Sequence, residues 1–279
     1  MPNKNNNRMG RIDEEYRKEL SQIIGFELKN SSITGMISVT KVKVTSDLKY
    51  AKVYVSIFNS KNIKDGDMFV AIKGFSVDGH QYINDAIKAG AKAIMVQEGC
   101  DLKAINLPED VTLIMAKDTR EALAICSCNF YDNPSRKFQL IGVTGTKGKT
   151  TTTYMIKSML EKKGLKVGLI GTIATYINGK MISESSRTTP ESIELQKTFA
   201  QMVDEGVEYA VMEVSSQSLK LNRVYGSDFN IGIFTNLSEE HISEKEHADM
   251  KEYFETKCKL FTMCKRAYIN ADDLYAIKL

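Results

Sequence analysis

The sequence contains no tryptophan and only three histidines (His80, His241, His247), and no apolar run approaches the ~18–20 residues needed to span a membrane. Three scattered histidines exclude a histidine-rich metal centre. Five cysteines (Cys100, Cys126, Cys128, Cys258, Cys264) are an odd number at irregular spacing. Cys126-Ser-Cys128 has no second Cys/His pair at ligand distance, so it is not a zinc knuckle and reduced thiols are expected. The opening Met1-Pro-Asn-Lys-Asn-Asn-Asn-Arg8 lacks the apolar core of a signal peptide. A cytoplasmic chain with no membrane partner is expected.

What is present is ordinary in bulk. The 279 residues are 42% hydrophobic and 26% charged, enough for two domains with their own cores. The net charge of +3 hides an asymmetry. Residues 1–61 carry eleven Lys/Arg against six Asp/Glu, a surplus of five, which leaves −2 for residues 62–279. A basic head on a near-neutral body points weakly to an anionic partner for the head.

Along the chain, residues 1–10 are polar and read as disordered. Ile12, Tyr16, Leu20, Ile23, Ile24 and Leu28 share one helical face, which predicts an amphipathic helix over 11–29. Alternating stretches at 36–45 and 50–58 predict two adjacent strands with one buried face. From residue 62 the pattern changes to β/α alternation. Strands are predicted at 68–72, 93–96, 111–115, 166–170, 209–214, 231–235 and 267–269, and helices at 82–89 and 119–130. The fold class expected is α/β: a doubly wound parallel sheet with a phosphate loop at a strand's carboxyl end, preceded by a smaller α/β domain.

The most informative stretch is Gly142-Val-Thr-Gly-Thr-Lys-Gly-Lys-Thr-Thr-Thr-Thr153. It follows an apolar run (Phe138, Leu140, Ile141) and precedes residues 154–163, where Met155, Ile156, Met159 and Leu160 recur at helical spacing. A glycine-rich turn from strand to helix aims backbone N–H groups and the positive helix end at one spot, which is a phosphate site. Lys149 would reach the β- and γ-phosphates and the Thr150 hydroxyl would ligate Mg²⁺. The usual spacing requires glycine at position 143, which is Val143. The loop is instead a tight Gly145-Thr-Lys-Gly-Lys-Thr150, and a chain that binds a nucleoside triphosphate, or descends from one that does, is expected.

Several motifs together resemble the Mur ligases, ATP-dependent amide-forming enzymes of peptidoglycan synthesis, and most closely their tripeptide-synthetase branch. The likeness covers about residues 59–279. The loop fits that family's Gly-Thr-x-Gly-Lys-Thr form. The resemblance implies that Gly145, Thr146, Lys147, Gly148, Lys149, Thr150, Thr151 and Asn236 bind ATP. It implies that Ser60, Phe75, Ser76, Val77, Thr188, Thr189, Ser215 and Arg223 bind UDP-N-acetylmuramoyl-L-alanyl-D-glutamate. Thr150, Glu213, His241 and a carbamylated Lys257 would hold Mg²⁺, with Lys149, Lys257 and His241 catalytic. Asn59-Ser-Lys61 stands where the family usually has Asp-Ser-Arg, and Arg187, Gln217 and Leu221 also depart from common residues.

The family's third domain, which binds the incoming amino acid, has no counterpart before Leu279. Binding of substrates without turnover by this chain, as a monomer, is therefore the expectation. Residues 8–58 instead resemble the first helix and two strands of a ribosome-binding factor, a small KH-like domain. The implied segments are 1–61 (partial KH-like head), 62–135 (UDP-binding) and 136–279 (central ATPase). A second reading makes the chain a ribosomal RNA-binding protein carrying the nucleotide domain as a passenger. A third, a folylpolyglutamate synthetase, is opposed by residues 64–80, which resemble the Mur segment that cradles UDP, and by Thr188-Thr-Pro190.

Overall fold

A computed structural model of the chain describes residues 12–13, 15–16, 19–20, 36–44, 51–58, 63–74, 77–103, 105–185, 187–243 and 246–275. The expected disordered start, the full length of the first helix, and Ser60, Phe75 and Ser76 lie outside the described residues. The chain divides into two compact units, one of Met1–Ala71, Gly79–Met95 and Cys100–Ile114, the other of Ile72–Asp78, Val96–Gly99 and Met115–Leu279.

In the first unit, residues 12–13, 15–16 and 19–20 are helical. Strands β1 (Met36–Val44) and β2 (Ala51–Phe58) pair antiparallel, with a register irregularity between Val39 and Lys41. Val44 N–H donates to Asp13 Oδ1 at 2.7 Å. Next come β3 (Met68–Val70), helix α1 (Ile83–Lys88), β4 (Ala93–Gln97) and β5 (Thr112–Ala116), and the strand order is β3-β4-β5. The β3 strand is shorter than the 68–72 predicted.

The second unit is a seven-stranded sheet in the order β12-β11-β6-β10-β7-β8-β9. Its parallel strands are β6 (Gln139–Thr144), β7 (Val167–Ile170), β10 (Tyr209–Glu213), β11 (Phe229–Phe234) and β12 (Cys264–Ile269). One edge departs from the all-parallel expectation. Strands β8 (Ala174–Ile177) and β9 (Lys180–Glu184) run antiparallel to their neighbours. Their hairpin turns on Asn178-Gly179, with φ of 49° and 80°, the two positive values a tight primed turn requires.

Residues of one strand alternate between two cores. Leu140 and Met212 face helix α4 (Ser192–Asp204), packing with Leu195, Phe199 and Met202. Ile141, Val143 and Val211 face helix α3 (Lys149–Lys162). Burial on both faces is why these strands read as continuous apolar runs. Helix α3 starts at Lys149, five residues before the predicted start. Its buried side is carried by Tyr154, Ile156 and Leu160, whereas Met155 and Met159 are exposed (61% and 65%). Helix α2 (Thr119–Phe130), capped by Asp118, covers the predicted residues. Helices α5 (Ser216–Lys220) and α6 (Met250–Thr262) complete the unit. No helix among the described residues is long and apolar enough to cross a membrane, and all five cysteines are free.

Candidate active site

Strand register gathers the site. Glu213, the last residue of β10, lies opposite Val143 of β6, and Phe234 of β11 lies opposite Thr144. The segments that follow, at Gly145, Val214 and Thr235, therefore leave the sheet side by side, with Gly171-Thr172 following β7. A crevice at strand carboxyl ends where the order reverses is where open α/β sheets bind ligands.

The loop after β6 is built around two glycines. Gly145 has φ of 144°, and a Cβ there would lie 2.0 Å from Thr235 Oγ1. Gly145→Ala is expected to destabilise the chain by about 2–4 kcal/mol through strain and crowding. Urea denaturation measures this, and an unchanged midpoint would refute the crowding. Gly148 takes the left-handed conformation (φ 82°) as the N-cap of α3.

Asn236 staples the loop from outside. Thr146 N–H donates to its carbonyl (2.9 Å), Lys147 N–H to its Oδ1 (2.9 Å), and its Nδ2 donates to Lys147 O (3.0 Å). The Thr146 hydroxyl accepts from Ser238 N–H at 3.0 Å and lies 3.2 Å from the Tyr253 hydroxyl. Gly148 to Thr151 form the first turn of the fourteen-residue α3, where N–H groups have no intrahelical acceptor. Such a turn is able to cradle phosphate oxygens.

Two amines meet one carbonyl. Lys149 Nζ donates to Gly145 O (2.9 Å) and Thr146 O (3.0 Å), and Lys257 Nζ donates to the same Gly145 O at 2.9 Å. Lys257 is 1% exposed and lies 4.5 Å from the centre of the Tyr253 ring. Burial, helped by repulsion from Lys149, pushes the Lys257 amine down to about 7. Burial also lowers Lys149, against the pull of Glu213 and Glu240.

Glu213 is 1% exposed. Its carboxylate accepts from Thr150 Oγ1 (3.0 and 2.9 Å), Thr172 N–H (2.8 Å) and Thr172 Oγ1 (3.2 Å). A Cβ on Gly171 would lie 2.5 Å from its Oε1, so glycine is what lets the carboxylate fit. A buried carboxylate beside a threonine hydroxyl is an oxygen pair suited to a hard divalent cation. Among the described residues no group of three or more His, Cys, Asp or Glu converges on a metal position. Mg²⁺ bound through one carboxylate commonly completes its shell with water and phosphate oxygens.

His241 stands apart from that pair, in a left-handed backbone conformation (φ 63°). Its Nδ1 lies 3.1 Å from Glu246 Oε1, a contact that orients the ring and holds the Glu246 carboxyl below its usual range. His247 is buried, its Nδ1 without a hydrogen bond and 3.8 Å from Glu252 Oε1, and burial lowers its pKa.

The remaining candidates tie into Glu213. Thr189 Oγ1 donates to Glu213 O (2.9 Å) and accepts from Ser215 N–H (3.2 Å), and Thr188 Oγ1 lies 3.1 Å from Thr172 Oγ1. Ser215 caps α5, accepting from Ser218 N–H. Arg223 Nη1 donates to Thr189 O (3.4 Å) and its Nη2 pairs with Glu191 Oε1 (3.0 Å), which Arg187 also engages. Arg223 Nε is buried without a partner. Burial lowers the guanidiniums of Arg223 and Arg120, both opposed by Glu191. Glu191→Gln would leave Arg223 with an uncompensated charge, and a loss of about 1–3 kcal/mol in chemical denaturation is expected. Equal stability of the two proteins would refute the pairing. Val77 accepts from Gly74 N–H at 2.9 Å in its own turn. Thr172 and Arg120 escaped the motif reading, and Glu191 and Tyr253 fell inside recognised motifs without a role of their own.

Comparison with known proteins follows the same residues. Residues 143–279 match the Mur ligase middle domain and residues 55–131 the Mur ligase family catalytic domain, while residues 8–75 match ribosome-binding factor A. The UDP-N-acetylmuramoyl-L-alanyl-D-glutamate–2,6-diaminopimelate ligase of Clostridium perfringens is 51% identical over 222 residues, 80% of this chain and 44% of that protein. A solved structure of a ligase of the same name superposes with a TM-score of 0.65 at 24% identity, over 78% of this chain and 43% of that one. The MurF ligase of Thermotoga maritima in complex with ADP gives 0.52 at 23% identity, over 80% and 47%. These two show the fold. The chain spans less than half the length of the curated relatives it matches. The phosphate loop, the buried Glu213 and the matched domains lie on one stretch of sequence, and over residues 55–279 the chain belongs to the Mur ligase family.

Proposed function

We propose that this chain supplies the nucleotide- and acceptor-binding part of an ATP-dependent ligase that joins an amino acid to UDP-N-acetylmuramoyl-L-alanyl-D-glutamate. The relatives' names give 2,6-diaminopimelate as the amine, and the same amine is proposed for the whole ligase. The observation that carries the reading is the Thr150 hydroxyl 2.9–3.0 Å from the buried Glu213 carboxylate, at the first turn of α3.

A carboxylate is a poor electrophile, and phosphorylation by ATP gives it a leaving group that an amine can displace. In this reading, N–H groups of residues 148–151 cradle the phosphates and Lys149 turns from the Gly145 carbonyl to the transferring group. Thr150 and Glu213 would hold Mg²⁺, which when bound neutralises charge on the phosphates. Asn236 keeps the loop in register, and Thr188, Thr189, Ser215 and Arg223 position the acceptor. Ser60, Phe75, Ser76 and Val77 are assigned to its UDP end. Lys257, with a pKa of about 7, is substantially neutral at physiological pH. A neutral amine can attack CO₂, forming an N–C bond and releasing a proton, and the resulting carbamate would be an anion able, with His241, to hold a second cation.

Segments 1–61, 62–135 and 136–279 are assigned to a KH-like head, a UDP-binding domain and the ATPase domain. Calorimetry on the full chain tests the reading. MgATP and UDP-N-acetylmuramoyl-L-alanyl-D-glutamate should each bind, and absence of both at millimolar concentration would overturn it. The match of residues 8–75 to ribosome-binding factor A favours a second reading, RNA binding by the basic head. It predicts association with small-subunit ribosomal RNA that weakens steeply with salt, and no association at 50 mM salt, on the order of the low end of such titrations, would exclude it.

A further inference from the structure

We propose that Thr172 is a positioning residue that couples the cation-holding carboxylate to the acceptor site by reversing the hydrogen-bond polarity of Thr188. Its hydroxyl sits 3.2 Å from Glu213 Oε2 and 3.1 Å from Thr188 Oγ1. It has one proton, so it donates to only one of them at a time. When it donates to Glu213, the Thr188 hydroxyl is free to donate to it, and Thr188 then offers only lone pairs outward. When it donates to Thr188, that oxygen is satisfied as an acceptor and the Thr188 proton points away, ready for an acceptor on a ligand. Thr172 N–H holds Glu213 Oε1 at 2.8 Å in both arrangements, so the carboxylate does not move.

A cation bound by Glu213 competes for the lone pair on Oε2. It therefore favours the second arrangement, turning Thr172 towards Thr188 and converting Thr188 from an acceptor into a donor. The neighbouring Thr189 is held to the Glu213 carbonyl (2.9 Å), so the stretch that receives the signal is fixed against the strand that sends it. Two discrete arrangements biased by two ligands are the physical requirement for coupling. The acceptor half of this inference rests on the ligase reading. The cation half rests on the Thr150–Glu213 oxygen pair and on the contacts of Thr172 with Glu213 and Thr188.

The test is a double-mutant cycle on the full chain with Mn²⁺ as the probe, bound metal being read by electron paramagnetic resonance. Thr188→Val leaves the Thr172 proton with Glu213 as its sole acceptor, so Mn²⁺ affinity should fall about fivefold, the lower end of typical coupling. In T172V the same change at 188 should have no effect, since Thr188 reaches Glu213 only through the Thr172 hydroxyl. T172S should restore the wild-type response. An equal effect of T188V in both backgrounds, no bound Mn²⁺ in the wild type, or failure of T172S to rescue would each overturn the proposal. A second titration uses UDP-N-acetylmuramoyl-L-alanyl-D-glutamate with and without Mn²⁺. The cation should tighten it in the wild type and T172S but not in T172V. If the Mn²⁺ cycle holds and neither this nucleotide nor MgATP binds the wild type, the relay stands and the ligase reading fails.

Discussion

Lys149→Ala should weaken nucleotide binding strongly, lowering the affinity of the full chain for ATP about 10- to 150-fold, the loss of one hydrogen bond to a charged group worth about 1.5–3 kcal/mol. Lys149 is the lysine at the head of α3, and its amine is held by the Gly145 and Thr146 carbonyls. The fold should survive, since Asn236 still staples the loop and Lys257 still reaches Gly145 O. Fluorescence titration with a labelled ATP analogue reads the loss, and a thermal melt confirms the fold. Affinity within threefold of wild type, about 0.65 kcal/mol by the usual free-energy conversion, would remove Lys149 from the site. The substitution also deletes the positive neighbour that depresses Lys257, so the Lys257 amine should titrate at higher pH in the variant.

Lys257→Met should make the protein more stable, and the gain should depend on pH in a defined way. The Lys257 amine drops from 10.5 to about 7 on folding, a change worth about 5 kcal/mol. Below about pH 7 the amine is charged in both the folded and unfolded chain, and the full burial penalty is present. Between 7 and 10.5 the unfolded chain binds more protons than the folded one, so wild-type stability rises with pH and the penalty fades. Methionine carries the apolar stem without the charge, and Gly145 O keeps its bond from Lys149. The stability advantage of K257M in urea should therefore be largest at pH 6 and shrink towards pH 10. A pH-independent difference would show that Lys257 is not a buried titrating amine. Removing dissolved CO₂ isolates this effect from carbamate formation.

Elements whose signal is local were readable from sequence. Phe138, Leu140 and Ile141 mark a buried strand, the glycines at 145 and 148 mark the loop, and the helix predicted over 119–130 coincides with α2. The start of α3 was misjudged by five residues because Thr150 to Thr153 are poor helix formers. The loop geometry at Gly148 overrides their propensity. The β8–β9 hairpin was overlooked although Asn178-Gly179 is a strong turn signal, because both strands are short and β9 is exposed along its length.

In the site, Thr150, Glu213, Thr189 and Asn236 were named from their motifs. Their hydrogen bonds join residues 24 to 90 positions apart and follow from strand register, which no motif contains. Thr172 and Arg120 have no motif of their own. Their significance comes from Glu213 and Glu191, brought to them only by folding.

The loop of residues 145–148 has its backbone committed before any ligand arrives. Both polar main-chain groups of Lys147 are bonded by one side chain, and the Gly145 carbonyl is held by two amines. A loop fixed in this way has little conformational freedom left to lose. Association with a phosphate-bearing ligand should then show a small entropic penalty and no slow ordering phase, with the encounter rate set by diffusion and charge.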